Sequence, residues 1–556
     1  MPTVDTTAAT SRWWQRVDRR DLAAVTVLLV ALLIPLRGLL RIQGPPMEEG
    51  FMLVFPEQVL HGAIANKDFL HLYGPGSLWF LAGVFKVFGT SLTAERLVGL
   101  LQQMAIVFGV FALARRWGRA VALGCALLSL LFIVPTSLTA LAWVGGVGLG
   151  LLALVAGAAS RDAAGTRGER LAVVAGVLAG LARLYRIDLV LALGLSVLAL
   201  GWGAAPILRR RFGVGLAVGL VPYVVHLATA GPDTVVRGMI IDPLFNLRGG
   251  RSLPIPPSWN HLDGTLERFG SLVQLPWPFP TVHTPAQLTI WFVLLLLSVA
   301  VLVTVGVLAV RRDPTSLRPR VLLAVAGFSV GIVPQTLQRA DSAHLAWVSC
   351  VAMAFLPVVV LEILRVHRPR WSPRTVGVGA TVLLFAFIAV VIPDYTVRLY
   401  SDYAGQTFGN HYLAHGISHR GRSWYTAYAS DAGPTTQLLD TVERITKPGQ
   451  RLFVGPQDLR QTPYSDAFFY YLLPQLKPST YYIEMDPGIA NAADSGLAKE
   501  VRRADVLILS TVWTTWDEPN TSRRLGPDTP NQVVRDDFCL VGAFGPHYKL
   551  YRRCHR

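Results

Sequence analysis

Apolar stretches of about 20 residues recur between residues 22 and 393, and short polar segments rich in arginine separate them. A stretch of this length crosses the hydrocarbon core of a bilayer as an α-helix. The pattern therefore predicts a polytopic α-helical membrane protein with about eleven transmembrane helices. The predicted spans are residues 22–40, 93–114, 120–134, 138–158, 171–185, 188–206, 212–230, 287–310, 321–337, 343–364 and 375–393. A further apolar piece, residues 77–88, is too short to span and is predicted to be a re-entrant or interfacial helix.

The dense arginine clusters fall on alternate connections between these spans, so they share one face of the membrane. Cytoplasmic loops carry an excess of arginine and lysine, which assigns that face to the cytoplasm. We therefore predict a multi-pass protein of the plasma membrane whose N-terminus is cytoplasmic. Its predicted parts are a tail at 1–21, a transmembrane domain at 22–393 with extracytoplasmic loops at 42–91 and 231–286, and an extracytoplasmic domain at 394–556.

The polar, aromatic-rich segment 394–556 differs from the rest and is predicted to fold as a soluble α/β domain. Residues 451–455 and 504–509 have the pattern of strands, and residues 538–543 and 548–551 that of a hairpin. Cys539 and Cys554 lie in this segment, and an oxidising compartment would allow them to pair. Their positions in the sequence leave the pairing open.

The composition excludes several classes of protein. Charged residues make up only 15% of the chain against 52% hydrophobic residues, and the net charge is +16. The positive-inside pattern explains this charge, so we predict no nucleic-acid partner. The zinc motifs CxxC and HExxH and the nucleotide motif GxxxxGK[ST] are absent, and no GxGxxG follows a predicted strand, so no metal or other cofactor is predicted.

Two adjacent carboxylates, Glu48 and Glu49, follow the first span on the predicted outer face. A carboxylate at the interface can deprotonate a hydroxyl during group transfer if burial raises its pKa. Neighbouring side chains in a turn or extended segment point in different directions, so we expect only one of the two to act. The other would stabilise the start of a helix predicted at Phe51–His61. The alternative interpretation is an acidic, solvated loop.

Several arginines lie on the outer face, where the orientation rule does not favour them, and an anionic ligand there would explain their position. They are Arg183, Arg186, Arg237, Arg248, Arg251 and Arg339. Arg183 and Arg186 precede Asp188, so this segment is either a phosphate site or an Arg–Asp pair that closes a turn. Arg339 and His344 are a second candidate phosphate site, in which Asp341 or Ser342 also has the position of a helix N-cap.

The first outer loop resembles that of the GT-C superfamily of membrane glycosyltransferases, which includes the protein O-mannosyltransferases and the lipid A aminoarabinose transferases. The resemblance rests on an acidic pair followed by glycine, an aromatic-Pro turn, a Phe-Gly end to a short apolar segment, and an arginine at the start of the second span. Here these are Glu48-Glu49-Gly50, Tyr73-Gly74-Pro75, Phe88-Gly89 and Arg96. One departure is Glu48, because the family more often has Asp at that position.

The resemblance implies an inverting transfer of one sugar from a polyprenyl-phosphate donor to a hydroxyl of a glycan, lipid or protein acceptor outside the membrane. The predicted base is Glu48, with Glu49 as the alternate. Arg183, Arg186, Arg339 and His344 are predicted to bind the donor phosphate. The residues predicted to shape the substrate site are Asp68, Tyr73, Asp188, Arg248, Arg251 and Asp341.

Two other functions remain open from the sequence. A polytopic transporter or lipid flippase would place functional charges near the middle of the membrane and show internal symmetry. The charges here gather at one face, and the sequence shows no internal repeat, so the first alternative is disfavoured. A non-catalytic membrane scaffold would leave the arginines of the outer face unexplained.

Overall fold

The structure, a computed structural model, describes residues 19–247, 277–338, 340–367, 371–409, 414–514 and 524–554. Helices make up most of the described chain up to residue 407, and a mixed sheet with flanking helices follows. The helices of the first part are α1 Arg19–Leu33, α2 Leu36–Leu39, α3 Pro46–Leu60, α4 Gly76–Phe88, α5 Leu92–Ala114, α6 Arg119–Ile133, α7 Ala142–Asp162, α8 Gly165–Tyr185, α9 Leu189–Gly201, α10 Pro206–Ala230, α11 Pro232–Val236, α12 Thr284–Arg312, α13 Leu317–Ile332, α14 Pro334–Gln338, α15 Ser342–Ala352, α16 Leu356–His367, α17 Pro373–Val391 and α18 Val397–Thr407. A π-helical segment, Arg237–Leu247, follows α11.

Within the described residues, nine helical segments are long and apolar enough to cross a membrane. They are Asp21–Leu39, Leu92–Trp117, Arg119–Thr136, Ala142–Asp162, Pro206–Ala230, Ala286–Arg312, Leu317–Gln338, Ser342–His367 and Pro373–Val391. These match nine of the eleven predicted spans. The other two predictions fall on α8, which carries charged residues, and on α9, which has 13 residues. The polytopic helical class is therefore confirmed, and the count of eleven stays a prediction.

One face of α10 shows how the bundle meets lipid. Val214, Val218, Val221 and Val225 recur at helical spacing, and each exposes between 49% and 55% of its surface. Such an apolar stripe would be unfavourable in water, whereas lipid tails solvate it well. The chain is thus a multi-pass membrane protein.

The C-terminal part contains a hairpin and a five-stranded mixed sheet. The strands are β1 His415–His419, β2 Arg422–Thr426, β3 Arg451–Pro456, β4 Lys477–Pro478, β5 Val506–Ser510, β6 Phe538–Phe544 and β7 Tyr548–Arg553. The sheet order is β4-β3-β5-β7-β6, in which β3 is parallel to β4 and β5 while β7 is antiparallel to β5 and β6. The helices of this part are α19 Ala429–Ile445, α20 Phe468–Leu472, α21 Leu497–Arg503 and α22 Thr529–Asp537.

The predicted strands at 451–455 and 504–509 and the predicted hairpin are present within two residues of their expected ends. The hairpin β1–β2 and the two-residue strand β4 were not predicted. Cys539 of β6 and Cys554 after β7 form a disulfide, with their Cα atoms 5.2 Å apart. The α/β character of this part is confirmed, while the domain boundary at residue 394 stays a prediction.

The prediction for the segment that holds the acidic pair was wrong in one respect. Glu48 and Glu49 do not precede a helix that begins at Phe51, because α3 already begins at Pro46. Proline is favoured in the first turn, where its missing N–H costs no hydrogen bond. Carboxylates in the first turn also interact favourably with the helix dipole. Glu48 and Glu49 therefore occupy successive positions of a helix and diverge around its axis.

Helix α3 also carries the contact between the bundle and the C-terminal part. A Cβ atom at Gly50 would lie 2.8 Å from the backbone nitrogen of Phe468 in α20. Farther along α3, Glu57 pairs with Arg422 of β2 at 2.5 Å. In the loop after α3, the backbone oxygen of Asn66 accepts from the hydroxyl of Tyr481 at 3.0 Å, which adds a further contact between the two parts. The absence of a side chain at Gly50 thus permits the C-terminal part to pack directly on α3.

This contact predicts that Gly50→Ala destabilises the protein, because the added methyl group meets backbone that cannot move without repacking. Overpacking of this kind costs about 1–3 kcal/mol. Gly83→Ala in α4 is the matched control, because no atom lies within 4 Å of the added Cβ there. Thermal unfolding in detergent should show a lower Tm for Gly50→Ala only. Equal Tm values for the two variants would contradict the close contact.

Candidate active site

Glu49 belongs to a buried ion pair at the start of α5. The guanidinium group of Arg96 donates to both of its carboxylate oxygens, at 2.7 and 2.8 Å, and each side chain is 1% exposed. The same guanidinium group donates to the backbone oxygens of Leu39 and Ile42 at 3.1 and 2.8 Å. Two parallel hydrogen bonds fix the geometry as well as the charge. Glu49 therefore holds α3 against α5 and the chain segment before α3.

Glu48, one position earlier on α3, lines a cavity between the bundle and the C-terminal part. Within the described residues, the polar and aromatic side chains of the bundle that line this cavity are Glu48, Phe51, Tyr73, Trp143, Arg186, Gln335, Gln338, His344 and Trp347. Tyr464, Glu484 and Asp486 of the C-terminal part line it from the other side. The predicted residues Glu48, Tyr73, Arg186 and His344 are thus brought to one place although they are far apart in the sequence.

Arg186 reaches the cavity because α8 ends at Tyr185 and the next residue is extended. Its guanidinium group donates to both oxygens of Asp188, at 3.0 and 2.6 Å, and to Gln335 at 3.2 Å. The predicted Arg–Asp pair is therefore present, and Arg186 lines the cavity as well. The side chain of Arg186 is 6% exposed, and that of Asp188 is 37% exposed. The guanidinium group is therefore buried, while the carboxylate that pairs with it is partly open to the surroundings.

Tyr73 packs against this cation, with its ring centroid 4.3 Å from the guanidinium carbon of Arg186. The tyrosine is placed by the turn that follows it, because the backbone nitrogen of Gly74 donates to the oxygen of Tyr185 at 3.1 Å. A Cβ atom at Gly74 would lie 2.0 Å from the oxygen of Leu184, so only glycine allows this approach. Burial raises the pKa of Tyr73 to about 12, so the phenol stays protonated and can donate a hydrogen bond.

His344 lies in the first turn of α15, where Asp341 is the N-cap. The carboxylate of Asp341 accepts from the backbone nitrogen of His344 at 2.9 Å and from its ring Nδ1 at 2.7 Å. The prediction of an N-cap is thus confirmed for Asp341, whose side chain also fixes the orientation of the imidazole. The ring of Trp347 packs 4.6 Å from the imidazole centroid.

Glu484 and Asp486 were not predicted as site residues. They are 4% and 2% exposed. Burial, with the nearby carboxylates of Asp486 and Glu48, holds the pKa of Glu484 well above its usual range. Oε1 of Glu484 has no hydrogen-bond partner among the described residues. A protonated carboxyl in this position can donate a hydrogen bond to a substrate hydroxyl. The one signal in the sequence that could have indicated Glu484 and Asp486 as site residues is their spacing of two residues in an otherwise apolar and aromatic stretch.

The remaining predicted residues have other positions. Arg183 does not line the cavity, and its backbone oxygen accepts from the hydroxyl of Tyr223 at 2.7 Å. Asp68 is exposed and accepts from the backbone nitrogen of Ile64 at 2.7 Å, which stabilises a local turn. Three predicted residues, Arg248, Arg251 and Arg339, lie outside the described part of the chain.

The cavity combines a carboxylate, a buried guanidinium group, an imidazole oriented by a carboxylate, and two further acids. A carboxylate can accept a proton from a hydroxyl. Arg186 and His344 can donate to the oxygens of a phosphate. A transfer from a phosphate leaving group requires a proton acceptor and anion-binding groups close together. This partly closed cavity contains both.

No protein-family model and no curated protein matches the chain. Among solved structures, the crystal structure of ArnT from Cupriavidus metallidurans bound to undecaprenyl phosphate superposes with a TM-score of 0.51 at 15% identity. The apo structure of the same protein superposes with a TM-score of 0.46 at 17% identity. Both comparisons cover 96% of this chain and 97% of the ArnT chain. The chain therefore has the GT-C fold that its first outer loop suggested, and the likeness to the bound structure includes the C-terminal part.

The pair of Glu49 and Arg96 generates a prediction about stability. Glu49→Gln removes the carboxylate that pairs with the buried guanidinium group, and loss of one partner of a buried pair costs about 3–5 kcal/mol. We expect a large drop in Tm for this variant in detergent. The control Asp68→Asn, at an exposed turn, should stay within about 0.5 kcal/mol of the parent protein. A Glu49→Gln variant as stable as Asp68→Asn would rule out a structural role for the pair.

Proposed function

We propose that this protein is a membrane glycosyltransferase that moves a sugar from a polyprenyl-phosphate donor to a hydroxyl acceptor on the extracytoplasmic face. The observation that carries the proposal is the single cavity in which Glu48 meets Arg186 and His344. A lipid-linked sugar presents a phosphate beside the reacting carbon, so base and anion-binding groups must lie close together. The GT-C fold and the undecaprenyl phosphate bound to ArnT support this choice of donor.

In this proposal Glu48 is the general base and Glu49 is not. Both carboxylate oxygens of Glu49 accept hydrogen bonds from Arg96, and protonation of Glu49 would break this buried ion pair. Glu48 lines the cavity and is only partly buried. Deprotonation of the acceptor hydroxyl by Glu48, with attack on the face opposite the phosphate, gives inversion at the sugar carbon. Arg186 and His344 offset the charge that develops on the departing lipid phosphate.

The C-terminal acids have a function in the same step. Glu484, protonated by its surroundings, donates a hydrogen bond to a hydroxyl of the sugar, and Asp486 accepts one. The cavity then recognises a neutral, hydroxyl-rich group next to an anionic one. The acceptor is a glycan, lipid or protein of the cell envelope, and the donor enters from the lipid phase.

The proposed orientation follows from the distribution of charge. Helix α5 begins beside Glu49 and is followed at its other end by Arg115 and Arg116. The arginine-rich ends belong to the cytoplasm by the orientation rule. The cavity and the C-terminal part, with its disulfide, then face the oxidising side, where disulfides persist.

Glu48→Gln tests the base. We expect the variant to fold and to lose transfer by about 100-fold or more, because the acceptor hydroxyl keeps its proton. The assay measures release of free undecaprenyl phosphate from a panel of undecaprenyl-phosphate pentoses and hexoses in nanodiscs. The control is Asp68→Asn, which removes a carboxylate of the same outer loop away from the cavity. Wild-type turnover in Glu48→Gln would overturn the assignment of the base.

Arg186→Gln tests the phosphate site. Loss of charge-assisted hydrogen bonds should weaken binding of undecaprenyl phosphate by about 10- to 100-fold, measured by native mass spectrometry of the detergent-solubilised protein. Arg183→Gln is the matched control, because this arginine lies three residues away outside the cavity. Undecaprenol, which lacks the phosphate, should bind all three proteins alike. An equal loss in both variants would refute a specific contact to Arg186.

A further inference from the structure

A second cavity, with a volume of about 480 Å³, is lined by the C-terminal part together with Gln43 of the segment before α3. Its position follows from the topology of the sheet. Strands β3 and β5 are parallel and end side by side at Pro456 and Ser510. The chain leaves β3 toward β4 at one edge of the sheet and leaves β5 toward β6 at the other. In open α/β sheets, ligands bind in the crevice at the carboxyl ends of strands where the connections diverge in this way.

Several of the residues that line the cavity come from the segments that follow these two strands. Asp466 and Phe468 follow β3, and Thr511 follows β5. Asp431, in the first turn of α19, and His547 line the same cavity. Among the described lining residues none is Lys or Arg, so the cavity does not suit a phosphate.

Asp466 is the polar centre of this cavity. It is 1% exposed, and Trp513 donates to its Oδ1 through the indole nitrogen at 3.1 Å. Its Oδ2 is buried without a hydrogen bond of ordinary geometry among the described residues, although the hydroxyl of Ser510 lies close enough to the carboxyl to lower its pKa. A buried polar atom without a partner costs about 1–3 kcal/mol, so its persistence requires an explanation. Burial also raises the pKa of Asp466 to about 6, so near and below that pH the carboxyl can donate as well as accept.

Aromatic side chains line the same cavity. Tyr548 is 6% exposed, and Trp424 is 1% exposed and stacks on Phe468. Tyr428 exposes 49% of its surface and also lines the cavity, where a ligand can cover it. Carboxyl and hydroxyl groups beside aromatic faces match a sugar ring, which has hydroxyls at its edge and C–H groups on its faces.

We propose that this cavity is a carbohydrate-binding site, in which Asp466 accepts from and donates to the hydroxyls of a neutral sugar unit and Tyr428 covers the ring at the opening. The site is separate from the candidate active site. The short segment that contains Tyr464 and Asp466 divides the two cavities, since Tyr464 lines the first and Asp466 the second. A glycan that occupies the second cavity therefore lies next to the first. Sugar binding here does not depend on the proposed transfer reaction.

Saturation-transfer NMR on the full-length protein in nanodiscs tests the proposal. The probes are methyl α-D-mannopyranoside, methyl β-D-galactopyranoside and methyl α-D-arabinofuranoside at about 10 mM, a concentration that detects weak single-sugar binding. We expect at least one probe to receive saturation, and its Kd to rise about tenfold or more in Asp466→Ala. Glu48→Gln should leave that Kd unchanged, because its side chain belongs to the other cavity.

Tyr428→Ala is a second test variant for the case in which Asp466→Ala does not fold. The tyrosine is half exposed, so its removal leaves the sheet intact. This variant should also weaken binding, with an unchanged Tm. The proposal is overturned if no glycoside receives saturation, or if Asp466→Ala and Tyr428→Ala both bind like the parent protein. Loss of the signal in Glu48→Gln alone would place the sugar in the first cavity and equally overturn it.

Discussion

The buried ion pair between Glu49 and Arg96 is the interaction on which the rest of the site depends. It ties α3 to α5 and, through two backbone oxygens, to the segment that leads into α3. With Glu49 fixed, the preceding position of the helix is directed into the cavity. The succession Glu48-Glu49-Gly50 therefore combines three functions, since Glu48 lines the cavity, Glu49 holds the helix, and Gly50 admits the C-terminal part. Two adjacent acids are needed because one of them, Glu49, forms the structural ion pair and only Glu48 lines the cavity.

Close backbone contacts extend this constraint to the second half of the protein. Gly50 allows α20 to pack on α3, and Gly74 allows the turn after Tyr73 to pack on the end of α8. A larger side chain at either position would separate surfaces that carry site residues. The C-terminal part is thus a wall of the cavity, to which it contributes Tyr464, Glu484 and Asp486. Movement of this part relative to the bundle would change the electrostatic environment of Glu48.

Sequence patterns predicted the helices and strands, because these elements depend on the local periodicity of apolar residues. Apolar stretches located nine spans that meet the length and hydropathy of a membrane helix, and alternation located β3, β5 and the β6–β7 hairpin. The patterns did not separate Arg186 from Arg183, because that difference arises from the end of a helix and one extended residue. They also missed Glu484, since the approach of a distant segment to Glu48 depends on tertiary packing. Asp341 illustrates the intermediate case, in which an N-cap was among the predicted possibilities and the contact to the imidazole was not.

A structure of the protein in nanodiscs with bound undecaprenyl phosphate tests the central claim most directly. The claim is that Glu48 and Arg186 share one anion-binding cavity on the face of the C-terminal part. The predicted result places the phosphate within hydrogen-bond distance of Arg186 and beside the carboxylate of Glu48. A phosphate bound instead at the opposite face, where Arg115, Arg119 and Arg374 line another cavity, would contradict the claim.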